Sequence, residues 1–551
     1  MLTGVALHLG LDSSTQSLTA VIIEVTASAR RVVHQATLVF DADLPQYGTT
    51  NGVTPSVDAS VRTAPPLMWV EALDRMMARL TTLDLDWSQL AAVSGSAQQH
   101  GSVYLNARAA DALRRLDPKV DLVDQVRGLL SRAESPIWMD SSTTPQCEEI
   151  TAAIGGDAVL ARHTGSHAFE RFTGPQIRKF WQQHSERYAE TDRIHLVSSF
   201  MASLLAGGHA PLEPGDASGM NLMDLASRRW WKPALDATAP KLLDKLPPIV
   251  ASWTDVGSLA AYWQQRYGLP AARVIAWSGD NPCSLIGTGL VSSNTLAISL
   301  GTSDTVFAHT AEARPDPTGA GHVFGAPTGD YMGLVCFQNG SLARERVRRT
   351  FGLDWEGFST LLSASPPGNL GRILLPWFEP EITPPVLRAG AVSFGVPVDD
   401  APANVRGVVE AQMLAARLHS KWMAPRVDTM YATGGAAINR AILQVMADVF
   451  GADVYQFDVG SSAALGAALR AYHADLVARE RDAEWSDIVR GFADPLSGSR
   501  IAPDASRHAI YRQMLDVYAA CEAFARGVGA DPSPQLRAFR SRGGGRSVVI
   551  D

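Results

Sequence analysis

Residues 5–25 decide the fold, and they read VALHLGLDSSTQSLTAVIIEV. Two apolar halves, the second rich in β-branched residues, flank the polar segment 12–17, and this is the pattern of a β-hairpin. A third apolar run at 32–40 follows Arg30 and Arg31. We therefore predict a three-stranded meander that opens an α/β domain.

A similar pattern recurs from residue 295. Residues 295–300 are apolar, the segment Gly301-Thr302-Ser303-Asp304 is a polar turn, and 305–309 continue as a strand. A third strand is expected at 331–337. We interpret the two hairpins as a weak internal repeat, although two unrelated Ser/Thr-rich turns would give the same pattern.

Other segments indicate further elements of an α/β chain. Strands that run into polar or glycine-rich loops are expected at 91–101, 273–279, 429–432 and 453–457. Apolar residues at helical spacing predict a helix over 442–450 that ends at Gly451, and a small-residue helix begins at Ser461. A last helix is expected at 504–526. From residue 531 the chain is rich in Pro, Ser, Arg and Gly, which predicts disorder.

Composition narrows the class of partner. The 551 residues are 46% hydrophobic and 19% charged, with a formal net charge of −8, which argues against nucleic acid as the main partner. No apolar run approaches a membrane span, and the N-terminus lacks a secretory pattern. The four cysteines fit reduced thiols in the cytoplasm; they are Cys147, Cys283, Cys336 and Cys521.

The common nucleotide motifs are absent from the sequence. Gly-Lys never occurs, and no G-x-G-x-x-G follows a strand. The two Ser/Thr-rich turns offer another way to hold phosphate, because tight turns present successive N–H donors. The carboxylate of Asp12 would repel phosphate, so we expect it to face a divalent cation. The alternative is that both are ordinary turns.

A few residues outside the hairpins are candidates for chemistry. Asp280 follows a strand, where ligands bind in α/β domains, and it is suited to accept a proton from a hydroxyl; the alternative is a helix cap. His100, in a Gln-Gln-His cluster, is suited to bind a polyol or is structural. The local sequence around Arg171, taken by itself, indicates an arginine on the protein surface. Gly434 and Gly435 allow close backbone approach to a ligand or form a plain turn.

Several stretches, in one order along roughly 5–475, resemble the FGGY carbohydrate kinases, and more closely the xylulose kinases of their eukaryotic-like branch. The stretches lie at 10–16, 43–49, 94–101, 138–143, 169–174, 279–282, 299–305 and 432–436. The turn Asp12-Ser13-Ser14-Thr15 and the pair Gln99-His100 depart from the wider family's usual Gly-Thr and Met-His, and both variants resemble that branch.

The resemblance implies two ribonuclease-H-like (actin-like ATPase) domains around a central cleft, with ATP between them. We expect a sugar-binding N-terminal domain at 1–289 and a nucleotide-binding C-terminal domain at 290–480. A helical extension at 481–530 and a disordered tail at 531–551 would follow.

The resemblance also implies roles for single residues. Asp280 would be the general base, and His100, Arg171 and Asn281 would bind the sugar with it. Asp12 would bind the metal ion. The nucleotide would contact the phosphate turns and an adenosine segment: Asp12, Ser13, Ser14, Thr15, Gly301, Thr302, Ser303, Trp355, Gly434, Gly435, Ala436 and Asn439.

The implied activity is ATP-dependent phosphorylation of D-xylulose to D-xylulose 5-phosphate, with Mg²⁺. Partners would be the sugar and ATP, with no nucleic acid and no membrane, in a monomer or homodimer. The alternatives are a kinase for another ketopentose or a polyol, and a catalytically silent sensor of ATP and sugar. An ATPase without a sugar pocket would share the phosphate turns.

Overall fold

A computed structural model describes residues 5–457, 460–481 and 483–541. Its N-terminal part is built on a mixed sheet in the order β5-β6-β4-β1-β2-β3, with β7 also paired to β4. The strands are β1 (Ala6–Ser13), β2 (Ser17–Val25), β3 (Arg30–Val39), β4 (Leu90–Ala97), β5 (Asp255–Ser258), β6 (Arg273–Ile275) and β7 (Ser278–Gly279). The predicted three-stranded meander is confirmed, because β1, β2 and β3 pair antiparallel in sequence.

The C-terminal part is built on a second sheet in the order β10-β11-β9-β8-β12-β13. Its strands are β8 (Thr295–Leu300), β9 (Asp304–Thr310), β10 (His322–Gly325), β11 (Tyr331–Phe337), β12 (Thr429–Thr433) and β13 (Asp453–Gln456). The run β11-β9-β8-β12-β13 repeats β3-β2-β1-β4-β6 in order and in strand direction. The internal repeat is therefore real at the level of topology.

Helices cover both sheets and bury separate apolar cores. They include α1 (Pro66–Leu80), α2 (Thr144–Ile154), α3 (Thr173–Gln183), α4 (Val197–Ala206), α5 (Asp280–Gly287), α6 (Ser341–Thr350), α7 (Trp355–Ala364), α8 (Ala401–Ser420), α9 (Arg440–Phe450), α10 (Ser462–Ala478), α11 (Ala505–Ala525) and α12 (Ser533–Ser541). The predicted helix that ends at Gly451 is α9. Among the helices that the structure describes, none has the length and apolarity needed to cross a bilayer.

Helix α10 follows the second sheet in sequence but packs on the first. Its small residues allow backbone contact with β1 and α5, where a Cβ on Gly466 would lie 1.9 Å from the Cys283 carbonyl oxygen. The guanidinium of Arg470 is buried and donates to the carbonyls of Ala276, at 2.7 Å, and Ser252, at 3.0 Å. The predicted boundary at 289/290 lies between the two sheets in sequence, but α10, which follows it in the chain, packs on the sheet that precedes it.

The expectation of a disordered tail from residue 531 is wrong for 533–541. These residues form α12, whose Leu536 and Phe539 are buried in the C-terminal core. Arg540 Nε donates to the Gly371 carbonyl at 3.0 Å. The polar composition concealed an amphipathic helix, and apolar burial orders it. The rest of the predicted tail, 542–551, lies outside the described residues.

Candidate active site

The first hairpin turn places a carboxylate among unsatisfied polar atoms. Asp12 sits near the end of β1, opposite Thr19 of β2 and Ser96 of β4. Its Oδ1 and the Ser13 hydroxyl are buried, and no described group hydrogen-bonds to them. Burial raises the pKa of Asp12 to about 6. Buried polar atoms are normally paired, so this gap is suited to a ligand, an ion or water.

The other two residues of this turn already have protein partners. Ser14 donates its N–H to the Ser17 carbonyl at 2.9 Å, which closes the hairpin. Trp138 Nε1 donates to the Thr15 hydroxyl at 2.8 Å. The buried polar atoms of this turn that lack a described partner are therefore Asp12 Oδ1 and the Ser13 hydroxyl, while Ser14 and Thr15 shape the turn.

The second hairpin turn, 301–303, is fixed from behind by α6. Ser341, the first residue of that helix, donates its N–H to the Gly301 carbonyl at 2.8 Å. Arg344 pairs with both oxygens of Asp304, at 2.8 and 3.1 Å. Since Arg344 neutralises Asp304, Asp12 is left as the carboxylate of the two turns that is suited to a cation.

Asp280 is the first residue of α5, directly after β7. Because β7 pairs with the end of β4, Asp280 lies beside the Gln98–His100 loop. Its Oδ1 accepts from the Asn281 N–H at 2.8 Å and from Asn281 Nδ2 at 3.0 Å. Burial, and after it the negative charge of Asp12, raise the pKa of Asp280 to about 7. A carboxyl group with that pKa is suited to general-base work near neutral pH.

Asn281 and His100 line the same corner. Asn281 Nδ2 also donates to Gln99 Oε1 at 2.9 Å. His100 has a left-handed φ of 71°, a conformation that tertiary contacts must impose on a non-glycine residue. Its Nδ1 donates to the Gly219 carbonyl at 2.7 Å, which leaves Nε2 free to accept. Burial, followed by the charge of Arg171, lowers the pKa of His100 to about 3, so the ring is neutral.

Arg171 is not the surface residue that its sequence alone indicates. Its guanidinium lies 5.0 Å from the ring centre of Phe169 and 5.6 Å from that of Phe172. Within the described residues it forms no ion pair with a carboxylate. The Phe172 ring in turn packs against His100 at 4.5 Å. Arg171 is thus a charged donor held between aromatic faces beside His100.

Between α5 and the second sheet lies a cavity of about 740 Å³, within the range of small-molecule sites. Of the predicted site residues, Asn281 and Gly434 line it, together with Ser284, Thr433 and Ala437. Only glycine fits at 434, because φ is 85° and a Cβ would lie 2.7 Å from the Leu300 carbonyl oxygen. A Cβ at Gly435 would meet no atom within 4 Å, so this backbone is open to a ligand.

Trp355 and Asn439 border this region without lining the cavity. Asn439 caps α9, with Oδ1 accepting from the N–H of Ala441 at 3.1 Å, and its Nδ2 donates to Ser359 at 2.8 Å. Ser359 lies one turn after Trp355 in α7, so the two predicted nucleotide residues are neighbours. The Trp355 side chain is 44% exposed and available for stacking. Ala436 belongs to the short helical turn Gly435–Ile438 between them.

Two buried acids near Asp280 went unnoticed in the sequence. Glu213 accepts from the Ser252 hydroxyl at 2.6 Å, and Asp216 accepts from Ser198. Burial raises the pKa of Asp216 well above its usual range, and the charges of Glu213 and Asp280 add to this. The stretch Glu-Pro-Gly-Asp has the composition of an ordinary turn, so no pattern distinguished it.

Both halves of the chain match domain models of the same protein family. The N-terminal domain model of the FGGY family of carbohydrate kinases matches residues 122–287, and its C-terminal domain model matches 296–474. The chain is 41% identical over 524 residues to a xylulose kinase of Mus musculus, covering 93% of both chains. It is 43% identical over 490 residues to xylulose kinase 2 of Arabidopsis thaliana, covering 85% of this chain and 87% of the relative.

A solved structure shares the fold. The xylulose kinase from Rhodospirillum rubrum matches with a TM-score of 0.78 at 19% identity, over 95% of this chain and 99% of that one. The two repeated sheets accordingly have the ribonuclease-H-like (actin-like ATPase) fold that the family resemblance implied. From the repeated topology, the matched domains and the identity to these relatives, it follows that the chain belongs to the FGGY family of carbohydrate kinases.

Proposed function

We propose that this chain is an ATP-dependent xylulose kinase that converts D-xylulose to D-xylulose 5-phosphate. The observation that carries the proposal is the Asp280 carboxyl, with a pKa raised to about 7, beside His100, Asn281 and Arg171 and close to Asp12. Relatives at 41% and 43% identity carry the name xylulose kinase. The family uses ATP as the phosphate donor.

In this proposal Asp280 accepts the proton of the sugar's terminal hydroxyl. The hydroxyl oxygen forms a bond to the γ-phosphorus of ATP as the bond from that phosphorus to the ADP oxygen breaks. Because the transition state is loose, alignment and charge stabilisation contribute most of the catalysis. Asn281 orients the Asp280 carboxylate through its two hydrogen bonds.

The sugar-binding residues divide into donors and acceptors. Arg171 donates to sugar oxygens, whereas Nε2 of the neutral His100 and the amide oxygen of Asn281 accept from sugar hydroxyls. A site that pairs each hydroxyl discriminates strongly against sugars that lack one. We assign the choice among ketopentoses to this set.

In this proposal the nucleotide occupies the cavity between α5 and the second sheet. Its phosphates meet Ser13, Ser14 and Thr15 of the first turn and Gly301, Thr302 and Ser303 of the second, and its adenosine meets Trp355, Gly434, Gly435, Ala436 and Asn439.

The unpaired Oδ1 of Asp12 fits Mg²⁺, which takes one or two carboxylates and keeps several waters. Among the described side chains no three His, Cys, Asp or Glu residues group into a metal cluster, so Asp12 with water would hold the ion. When bound, Mg²⁺ would neutralise phosphate charge.

A coupled ATP-turnover assay tests the proposal. Purified protein with ATP and Mg²⁺ is offered D-xylulose, L-xylulose, D-ribulose, L-ribulose and glycerol separately. We expect D-xylulose to give the highest kcat/KM. If another sugar is turned over faster, that sugar is the substrate and the assignment of D-xylulose is wrong. If sugar binds but no ATP is turned over, the protein is a sensor rather than a kinase.

We further propose a cytoplasmic location and a monomer or homodimer. The location is supported by the cysteines, because none of the four is in a disulfide in the described residues. Light scattering of the purified chain measures the assembly.

A further inference from the structure

One buried histidine of the second sheet reaches the predicted sugar site. His322 begins β10, an edge strand that pairs with β11. The strand is docked on the N-terminal part of the chain: the Val323 N–H donates to the Gly165 carbonyl at 2.9 Å, and the Gly325 N–H donates to the Ser218 hydroxyl at 3.0 Å. The His322 ring therefore belongs to one half of the molecule and contacts the other.

The ring is tied to Arg171. Arg171 Nη2 lies 2.9 Å from His322 Nε2, and Ser166 Oγ lies 3.1 Å from His322 Nδ1. A guanidinium has donors only, so Nε2 must be the acceptor and must carry no proton. The proton of the neutral ring is then on Nδ1, which donates to Ser166. The contact fixes the His322 tautomer.

The surroundings make this contact the main polar anchor of Arg171. No carboxylate among the described residues pairs with Arg171, and its flat faces meet Phe169 and Phe172. Phe169 also packs edge-on against His322 at 4.8 Å. Burial, followed by the charge of Arg171, holds the pKa of His322 well below its usual range, so the ring keeps its acceptor at neutral pH.

We propose that His322 is a positioning residue that aligns the Arg171 guanidinium for the sugar, so that sugar affinity depends on a residue of the second sheet. This inference rests on the proposed sugar-binding role of Arg171. It adds a link between the halves of the molecule: any separation of the two sheets that withdraws β10 also releases Arg171.

Kinetics of three variants test the proposal. His322→Leu removes the acceptor, and we expect the KM for the sugar to rise about tenfold or more, since hydrogen bonds to charged groups are strong, with a much smaller change in the KM for ATP. His322→Gln places an amide oxygen near the position of Nε2 and should restore most of the affinity. His309→Leu, a buried histidine of the same sheet, is the control and should leave the KM for the sugar unchanged.

A double-mutant cycle separates positioning from mere structural support. In an Arg171→Ala background, His322→Leu should raise the KM for the sugar by less than twofold. An equal effect with and without Arg171, or no effect in wild type, overturns the inference. These ratios use whichever sugar the wild-type protein phosphorylates, so a wrong choice of D-xylulose is seen separately.

Nitrogen-15 NMR of the histidine rings tests the geometry without any turnover. The His322 signal is identified by its loss in His322→Gln. We expect the Nδ1–H tautomer throughout pH 6 to 8. An Nε2–H tautomer or a protonated ring would contradict the inference, even if the protein phosphorylates no sugar.

Discussion

At the scale of the residue, the proposal depends most on Asp280, the proposed general base. Asp280→Asn keeps the shape and the helix start but removes the proposed proton acceptor. We expect kcat to fall by about 10²- to 10⁴-fold, the usual contribution of a general base, with little change in the KM for ATP. Steady-state kinetics measure this, with the exposed Asp255→Asn as a control that should retain wild-type activity.

The pKa of Asp280 is a second prediction at this scale. Burial raises it to about 7, and the Asp12 carboxylate adds to the effect. Asp12→Asn removes that negative charge, so we expect the pKa of Asp280 in the free enzyme to fall. Carbon-13 NMR titration of labelled aspartate, with Asp280→Asn to identify the signal, measures it. An unchanged pKa would show that Asp12 and Asp280 do not interact.

The sequence predicted these residues unevenly. Asp12 and Asp280 follow apolar strands, so their place at strand ends was visible. Arg171 was not, because its burial depends on Phe172 and on contacts with β10 from the far half of the chain. Glu213 and Asp216 lie in a turn-like stretch, and only tertiary packing buries them.

At the scale of the element, the contact of α10 with α5 and β1 depends on glycine. A Cβ at Gly466 would lie 1.9 Å from the Cys283 carbonyl oxygen, and one at Gly287 would lie 1.9 Å from that of Ser462. Both contacts are with backbone, so relief requires the helices to move apart. Gly466→Ala should lower the free energy of unfolding by roughly 2–3 kcal/mol.

Urea denaturation measures this loss of stability. The control is Gly208→Ala, where a Cβ would meet no atom within 4 Å and stability should change by less than about 1 kcal/mol. Equal stability of the Gly466 and Gly208 variants would contradict the close packing of α10.

The docking of α12 gives another prediction for an element. Phe539 is 5% exposed in the C-terminal core, whereas Phe524 of α11 is 43% exposed. Phe539→Ala should lower the free energy of unfolding by about 3 kcal/mol. Phe524→Ala should cost much less. Urea denaturation of both variants measures the two losses of stability. Equal losses would contradict the docking of α12 and support the prediction from composition that 533–541 are disordered.

Elements with a strong pattern were predictable, and those defined by distant contacts were not. In the hairpins β1-β2 and β8-β9, apolar residues alternate with polar ones or form continuous runs, and these patterns are long enough to be recognised in the sequence. Strand β10 has four residues and no periodicity, so it was missed. Helix α10 was expected, but its small residues did not show that it packs on the first sheet.

At the scale of the whole molecule, two copies of one topology contribute different residues to the proposed site. The first copy supplies Asp12 and leads to Asp280, while the second supplies the turn 301–303 and the Gly434 backbone. The repeat itself was visible in the sequence, because both turns follow an apolar strand. The contacts that join the copies, through β10 and α10, come from the folded chain.

The site in the proposal needs both halves, and the identity of the product tests it most directly. D-Xylulose, carbon-13 labelled, is incubated with ATP and Mg²⁺, and the product is followed by carbon-13 and phosphorus-31 NMR. We expect a phosphate on the terminal carbon C5 with wild-type protein and no product with Asp280→Asn on the same time scale. Phosphate at another carbon, or product formed at the wild-type rate by Asp280→Asn, would contradict the proposal.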